Sequence, residues 1–293
     1  MRMEDPKLLE RLHRFFLASL LSLEEGGEPP EADFHAEDLR RLLGDRERLT
    51  KACAGLAVAF VAWLRNRNQF VHLSAEEGRA LVALFAKSLH AASKDPASAG
   101  PDHARRFAAW LRFSLGGLPP AVPSAEYSAE LQLSVLDLRP EDLTPPVLDL
   151  GCGPSAHLLN HLRGLGIEAW GVDWVSASEW VIGRDWLDFE YGEEKWGTVI
   201  SHQGFSLHFL HHHFRPGEAA RRYGAAYMAI LRGLMPGGAF VYTPALPFIE
   251  SLLPSSYRVQ RRPLPPELGK SLDWVKERDP ALEVAFSTRV QRR

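Results

Sequence analysis

Val147-Leu148-Asp149-Leu150-Gly151-Cys152-Gly153-Pro154 is the stretch on which the reading of the chain turns. An apolar run led in by Pro145-Pro146 collapses onto two glycines, and a helical pattern follows from Ser155 to about Arg163. This pattern predicts a buried parallel strand, a tight turn and a helix start. Gly151 and Gly153 let the backbone approach a ligand closely, because neither carries a Cβ. The N–H groups opening the next helix add donors and a partial positive charge. A second short strand, Ile167 to Val172, leads to Asp173. A carboxylate at that strand end can accept hydrogen bonds from the vicinal hydroxyls of a ribose.

Asp149-Leu150-Gly151-Cys152-Gly153, the acid Asp173 and the later Leu234-Met235-Pro236-Gly237-Gly238 together resemble the class I S-adenosylmethionine-dependent methyltransferases. The resemblance covers roughly residues 124 to 293 and leaves the first 120 outside it. It implies an α/β fold with a Rossmann-like methyltransferase sheet, mostly parallel with an antiparallel last strand. It implies S-adenosylmethionine as the cofactor and an enzyme that moves a methyl group to an acceptor, for which a small molecule is the preferred expectation. Two alternatives stand beside it. Gly151-x-Gly153-x-x-Ala156 also fits the fingerprint of an NAD(P)-binding oxidoreductase, and a non-catalytic scaffold could keep the same fold. Asp149 favours the methyltransferase reading, since dinucleotide-binding strands are normally apolar two residues before the first glycine. An acid there can orient the turn and the amino group of the ligand.

Composition narrows the class. Across 293 residues the apolar share is 45% and the charged share 24%, ordinary for a globular chain. A net charge of −3 gives no electrostatic case for nucleic acid or an anionic membrane. The two cysteines, Cys53 and Cys152, cannot by themselves make a zinc site or a disulfide framework, so a reducing cytoplasm is the expected compartment. The first residues are charged and lack the apolar core of a signal peptide. Ala52 to Leu64, the most apolar run, is too short to span a bilayer and reads as a buried helix.

The N-terminal part carries helical periodicity: Asp5 to about Leu23, Ala36 to Leu43, and Asp45 to Asn66. Ser74-Ala75-Glu76-Glu77 is a capping-box signature for a helix running towards Ala92. Ser93 to Gly100 reads as a loop, with Pro101 in the first turn of a further helix. Residues 1–116 are therefore expected to form an all-helical domain without internal repeat. It would cover the acceptor site or form a homodimer interface, and no nucleic-acid module is recognisable in it. Gly116 to Pro123 supplies the boundary, with 117–123 as linker and 124–293 as the S-adenosylmethionine-binding domain.

Within the second domain, Ser124 is expected to cap a helix containing Tyr127 and Glu130, three apart and so on one face. By the resemblance, Tyr127 would reach the methionine end of the cofactor, alongside the turn residues Asp149, Gly151, Cys152 and Gly153. Trp174 could stack on adenine. Trp180 to Gly183 reads as a short third strand, after which the resemblance gives Asp185 to the adenine amino group and the backbone of Trp186 to the ring. The spacing from Asp173 to Asp185 is compressed relative to the family. Trp196 to Ser201 reads as the fourth strand, and ligands on parallel sheets lie beyond the carboxyl ends of strands. Ser201 and the residues up to Phe205 would thus flank the reacting methyl group.

His202 and His208 are the candidates for a general base. His208, His211 and His212 would share a helical face at metal-ligand spacing, but no carboxylate or cysteine completes the set, and no metal is expected. The Asp/Asn-Pro-Pro-Tyr motif of enzymes that methylate exocyclic nitrogens is absent, which argues against adenine or glutamine amide as acceptor. Gly217 to Leu234 reads as an amphipathic helix that Pro236-Gly237-Gly238 turns into a fifth strand, Ala239 to Tyr242. Thr243 to Pro247 would line the acceptor pocket. Tyr257 to Arg262 and Val284 to Gln291 alternate as strands and fit the closing antiparallel pair.

Overall fold

The computed structural model describes residues 6–28, 30–122, 126–175, 178–215 and 217–293. The chain divides into two compact units, Met1–Ser124 and Ala125–Arg293.

The first unit is built from α1 (Pro6–Glu25), α2 (Ala36–Leu43), α3 (Arg46–Arg67), α4 (Ala75–Lys94) and α5 (Pro96–Leu115). Local chemistry sets the helix starts. Asp45 accepts the Glu47 and Arg48 amides ahead of α3. Ser74 and Glu77 form the reciprocal capping box of α4. Helix α5 begins five residues before the expected Pro101, because Asp95 accepts the Ala97 and Ser98 amides and Pro96 occupies the first position. The Ala-Ser-Ala-Gly run is thus helix rather than loop. Its small residues serve packing: a Cβ on Gly100 would stand 2.9 Å from Ser19 Oγ and 3.1 Å from the Phe15 ring. Phe16, Phe60, Phe85 and Phe107 fill the core. His103 lies stacked on Phe16, with centroids 4.0 Å apart, and its Nδ1 meets Ser88 Oγ at 2.8 Å. Burial holds that imidazole well below its ordinary pKa, so it is a neutral core residue. The proline-rich segment after α5 folds back on the end of α3, where Arg67 Nε and Asn68 Nδ2 donate to the carbonyls of Pro119 and Pro120.

The second unit opens with α6 (Ala129–Leu136) and β1 (Val147–Leu150), then α7 (His157–Gly164), β2 (Ala169–Asp173), β3 (Val181–Gly183) and β4 (Trp196–His202). It continues with α8 (Phe205–His213), α9 (Glu218–Gly233), β5 (Leu234–Thr243), α10 (Pro247–Glu250), β6 (Tyr257–Pro263) and β7 (Phe286–Arg292). The seven strands lie in the order β3-β2-β1-β4-β5-β7-β6. All pairings up to β5 are parallel, and β7 runs antiparallel to both β5 and β6. This is the expected sheet. One face carries Val147, Ala169, Ile200 and Val241 against Leu158, Leu159 and Leu162 of α7 and Leu133 of α6. The other carries Leu148, Leu150, Val199 and Phe240 against the aromatic side of α8 and α9.

Three expectations are corrected here. Ser128, not Ser124, caps α6 by accepting the Leu131 amide, and Ser124 lies outside the described residues. Tyr127 consequently precedes the helix and does not share a helical face with Glu130. Pro236-Gly237-Gly238 is a bulge within β5, not a turn before it. Trp196 pairs with Leu234 and Thr198 already with Ala239, so the extra β5 residues loop out, with Gly237 at φ 79°. Among the described residues no helix is long and apolar enough to cross a membrane.

Candidate functional site

The glycine turn sits at the carboxyl end of β1. Gly151 and Gly153 have φ of 78° and 72°, the left-handed region that side chains strain to adopt. Space is as restrictive as geometry. A Cβ on Gly151 would stand 2.9 Å from the Trp186 ring, and one on Gly153 would stand 2.9 Å from Glu126 Oε1. Gly171 of β2, the register partner of Asp149, is bare for a related reason: its Cβ would fall 2.7 Å from Cys152 Sγ.

Three carboxylates gather here. Asp173 ends β2 and accepts the Gly153 amide on Oδ2 at 3.0 Å and the Val175 amide on Oδ1 at 3.1 Å. Asp149 is 2% exposed, and its Oδ2 has no hydrogen-bond partner among the described residues. Burial, with the neighbouring charge of Asp173, pushes its pKa up to about 7. Glu126, just ahead of α6, accepts the Ser155 amide at 2.9 Å and the Ser155 hydroxyl at 2.8 Å, which hold its carboxyl below the usual range. Burial and the two aspartates raise the Cys152 thiol well above its ordinary value, so it lines the turn as a neutral group.

The adenine-side candidates fall beyond β2 and β3. Trp174 follows Asp173 and is 40% exposed. Asp185 Oδ1 accepts the Leu187 amide at 3.0 Å. The side chain of Trp186 turns inward instead, its Nε1 donating to Tyr223 Oη at 3.3 Å and its ring meeting His208 edge-on at 5.1 Å.

At the end of β4 two neighbouring residues divide the work. Ser201 is fully buried, and its hydroxyl donates to Leu150 O at 3.0 Å while accepting the Phe205 amide at 2.9 Å. It braces β1 against the start of α8. His202 points to the opposite face, the face of Asp149, because Asp149 is in register with Ile200 two residues earlier. His202 is 8% exposed, and neither ring nitrogen has a hydrogen-bond partner among the described residues. Burial lowers its pKa to about 4, so the ring is neutral at physiological pH. Tyr127 lies edge-on to it at 4.9 Å and donates to Gln203 Oε1 at 3.2 Å. Gln203 itself adopts φ 54° while its amide donates to Thr243 O at 2.9 Å, joining the ends of β4 and β5.

The other histidines disperse around α8. His212 stacks on Tyr223 and His213 on Phe248, and burial lowers His211 to about 3. Among the described residues no three potential ligands converge on a metal position. Behind β5, Glu250 is buried and accepts Tyr242 Oη at 2.8 Å, the Leu246 amide at 2.6 Å and Arg261 Nε at 2.6 Å. This network fixes the loop leaving β5. Sequence reading missed Glu126, whose partner Ser155 lies 29 residues away, and Glu250, whose bonds to Tyr242, Leu246 and Arg261 follow no sequence motif.

An open parallel sheet, a glycine turn at the end of β1, an acid at the end of β2 and an antiparallel β7 between β5 and β6 are now in place. The fold is that of the class I methyltransferases. No protein-family model and no curated protein sequence matches the chain. Many similar solved structures are S-adenosylmethionine-dependent methyltransferases. One from Archaeoglobus fulgidus is 16% identical, with 57% of this chain and 95% of that one covered at a TM-score of 0.36. The glycopeptide N-methyltransferase MtfA, complexed with sinefungin, is 16% identical over 59% of this chain and 96% of its own, TM-score 0.32. The [4+2]-cyclase SpnF is 16% identical over 56% and 81%, TM-score 0.36. The strand order and the turn carry the fold by themselves.

Proposed function

We propose that the protein is an S-adenosylmethionine-dependent methyltransferase acting on a small-molecule acceptor. The observation that carries this reading is the pairing of an orphaned buried acid, Asp149, with a bare-backbone turn that Asp173 braces from the adjacent strand. An uncompensated carboxylate beside two glycines fits a ligand that is cationic and lies close to the main chain.

Asp173, at the end of the strand beside the turn, accepts the ribose hydroxyls. Trp174 stacks on the adenine, Asp185 accepts its amino group, and the Trp186 backbone amide meets the ring. Gly151, Cys152 and Gly153 form the floor, with Tyr127 near the methionine end. When bound, S-adenosylmethionine supplies a methyl carbon activated by its sulfonium. The protein's share is mainly alignment of that carbon with the acceptor, worth several kcal/mol.

His202 takes the proton that the acceptor must lose, and His208 stands further back against Trp186. A base with a pKa of about 4 readily receives a proton from an oxygen that is gaining a methyl group. It cannot strip one from an alkylammonium, whose pKa is near that of lysine, about 10. A hydroxyl acceptor would hand its proton to His202, whereas an amine would have to arrive already neutral. A thermal-shift comparison of S-adenosylmethionine with NAD+ and NADP+ tests the reading. At a hundredfold excess over Kd, bound ligand adds about 2.7 kcal/mol, or roughly 5–10 °C in a chain of this size. A shift with the nicotinamides alone would overturn it.

A further inference from the structure

Asp149 is a buried acid, 2% exposed, whose Oδ2 has no hydrogen-bond partner among the described residues. The groups facing it come from every neighbouring element. Asp173 stands at the end of β2, and Cys152 in the turn has its Sγ directly over Gly171, the register partner of Asp149. His202 ends β4 on the same face, and Glu126 lies across Gly153 from the segment before α6. None of these is a lysine or arginine, and neither Asp149 nor Glu126 makes a salt bridge among the described residues. Cys152 and His202 are neutral, and the charge that acts on Asp149 is that of Asp173, while the His157 imidazole acts on Glu126.

A second carboxylate next to a desolvated one makes full ionisation of both unfavourable. We propose that the empty turn keeps a proton on Asp149 beside ionised Asp173, and that entry of a cationic ligand expels it to the solvent. Asp149 then reads ligand charge: the positive group replaces the proton, and the carboxylate balances it. The inference rests on the methyltransferase reading and adds to it a linkage between cofactor charge and pH. The pKa of about 7 agrees with the cluster's geometry. Glu126, lowered by its Ser155 bonds, and His202 near 4 do not titrate in the same window.

The test is calorimetric titration of the full chain with S-adenosylmethionine, in buffers of low and high ionisation enthalpy, between pH 5.5 and 7. The ligand's own ammonium stays protonated in this window. Close to one proton should be released at the acid end, with release declining towards pH 7. Affinity should rise about tenfold across the window. S-adenosylhomocysteine, the thioether without the sulfonium charge, should release fewer protons and show a weaker pH dependence. Asp149→Asn should weaken binding and abolish release in the binding that remains.

Tight S-adenosylmethionine binding with an enthalpy independent of buffer would overturn this inference and leave the proposed function standing. Release that survives in Asp149→Asn would also overturn it. No binding of either nucleoside would overturn both. The wild-type buffer series decides the matter even if the variant does not fold.

Discussion

The two halves of the crevice are chemically unlike. Beside β1 and β2 the polar side chains are acids: Asp149, Asp173 and Glu126 surround the turn. Beside β4 and β5 they are uncharged: His202 with a lowered pKa, Tyr127 bonded to Gln203, and Gln203 tied to Thr243. The acidic half suits retention of a cation, and the neutral half suits receipt of a proton during bond making. Substitutions on one side should therefore move Kd, and those on the other kcat.

The largest expected effect is at the turn. Gly153→Val forces a branched side chain into the left-handed region, with its Cβ 2.9 Å from Glu126 Oε1. Cofactor affinity should fall about thousandfold, a loss of about 4 kcal/mol, while the circular dichroism spectrum is retained. His202→Ala comes next, lowering kcat by about a few hundredfold with Kd unchanged. A matching loss in Kd would erase the distinction between the halves. With S-adenosylmethionine saturating, the wild-type kcat should be level above about pH 5 and decline as pH falls through about 4, because only the unprotonated imidazole can accept a proton.

Asp173→Ala removes the acceptor of the Gly153 amide as well as the ribose contact, and Kd should weaken by about thirty- to hundredfold. Undiminished affinity there would move the ligand out of the acidic half. The smallest effect belongs to Glu126→Gln, which keeps an acceptor for the Ser155 amide. A few-fold change, diminishing with added salt, is expected of an exposed charge.

The parts legible in the sequence were those written locally. The strand, turn and acid from Val147 to Asp173 follow from apolar runs and glycine spacing. The α4 capping box follows from Ser74 and Glu77 alone. The parts missed depend on remote partners. Gly100 resembled loop material because its purpose is to admit Ser19 and Phe15 of another helix. The bracing role of the Ser201 hydroxyl depends on Leu150 of another strand, 51 residues away. Glu126 carries no motif, since its partner Ser155 lies 29 residues away. His202 was legible by position at a strand end, whereas its burial and neutrality were not.

The closing pair of strands has a consequence for how the sheet is assembled. Strand β6 is synthesised before β7, yet β7 lies between it and β5. Until the later strand emerges, β6 has no seat on the sheet and the flank of β5 stays unzipped. A nascent chain halted between the two should remain open to proteases along β5, and become resistant only when Phe286–Arg292 slots into the gap.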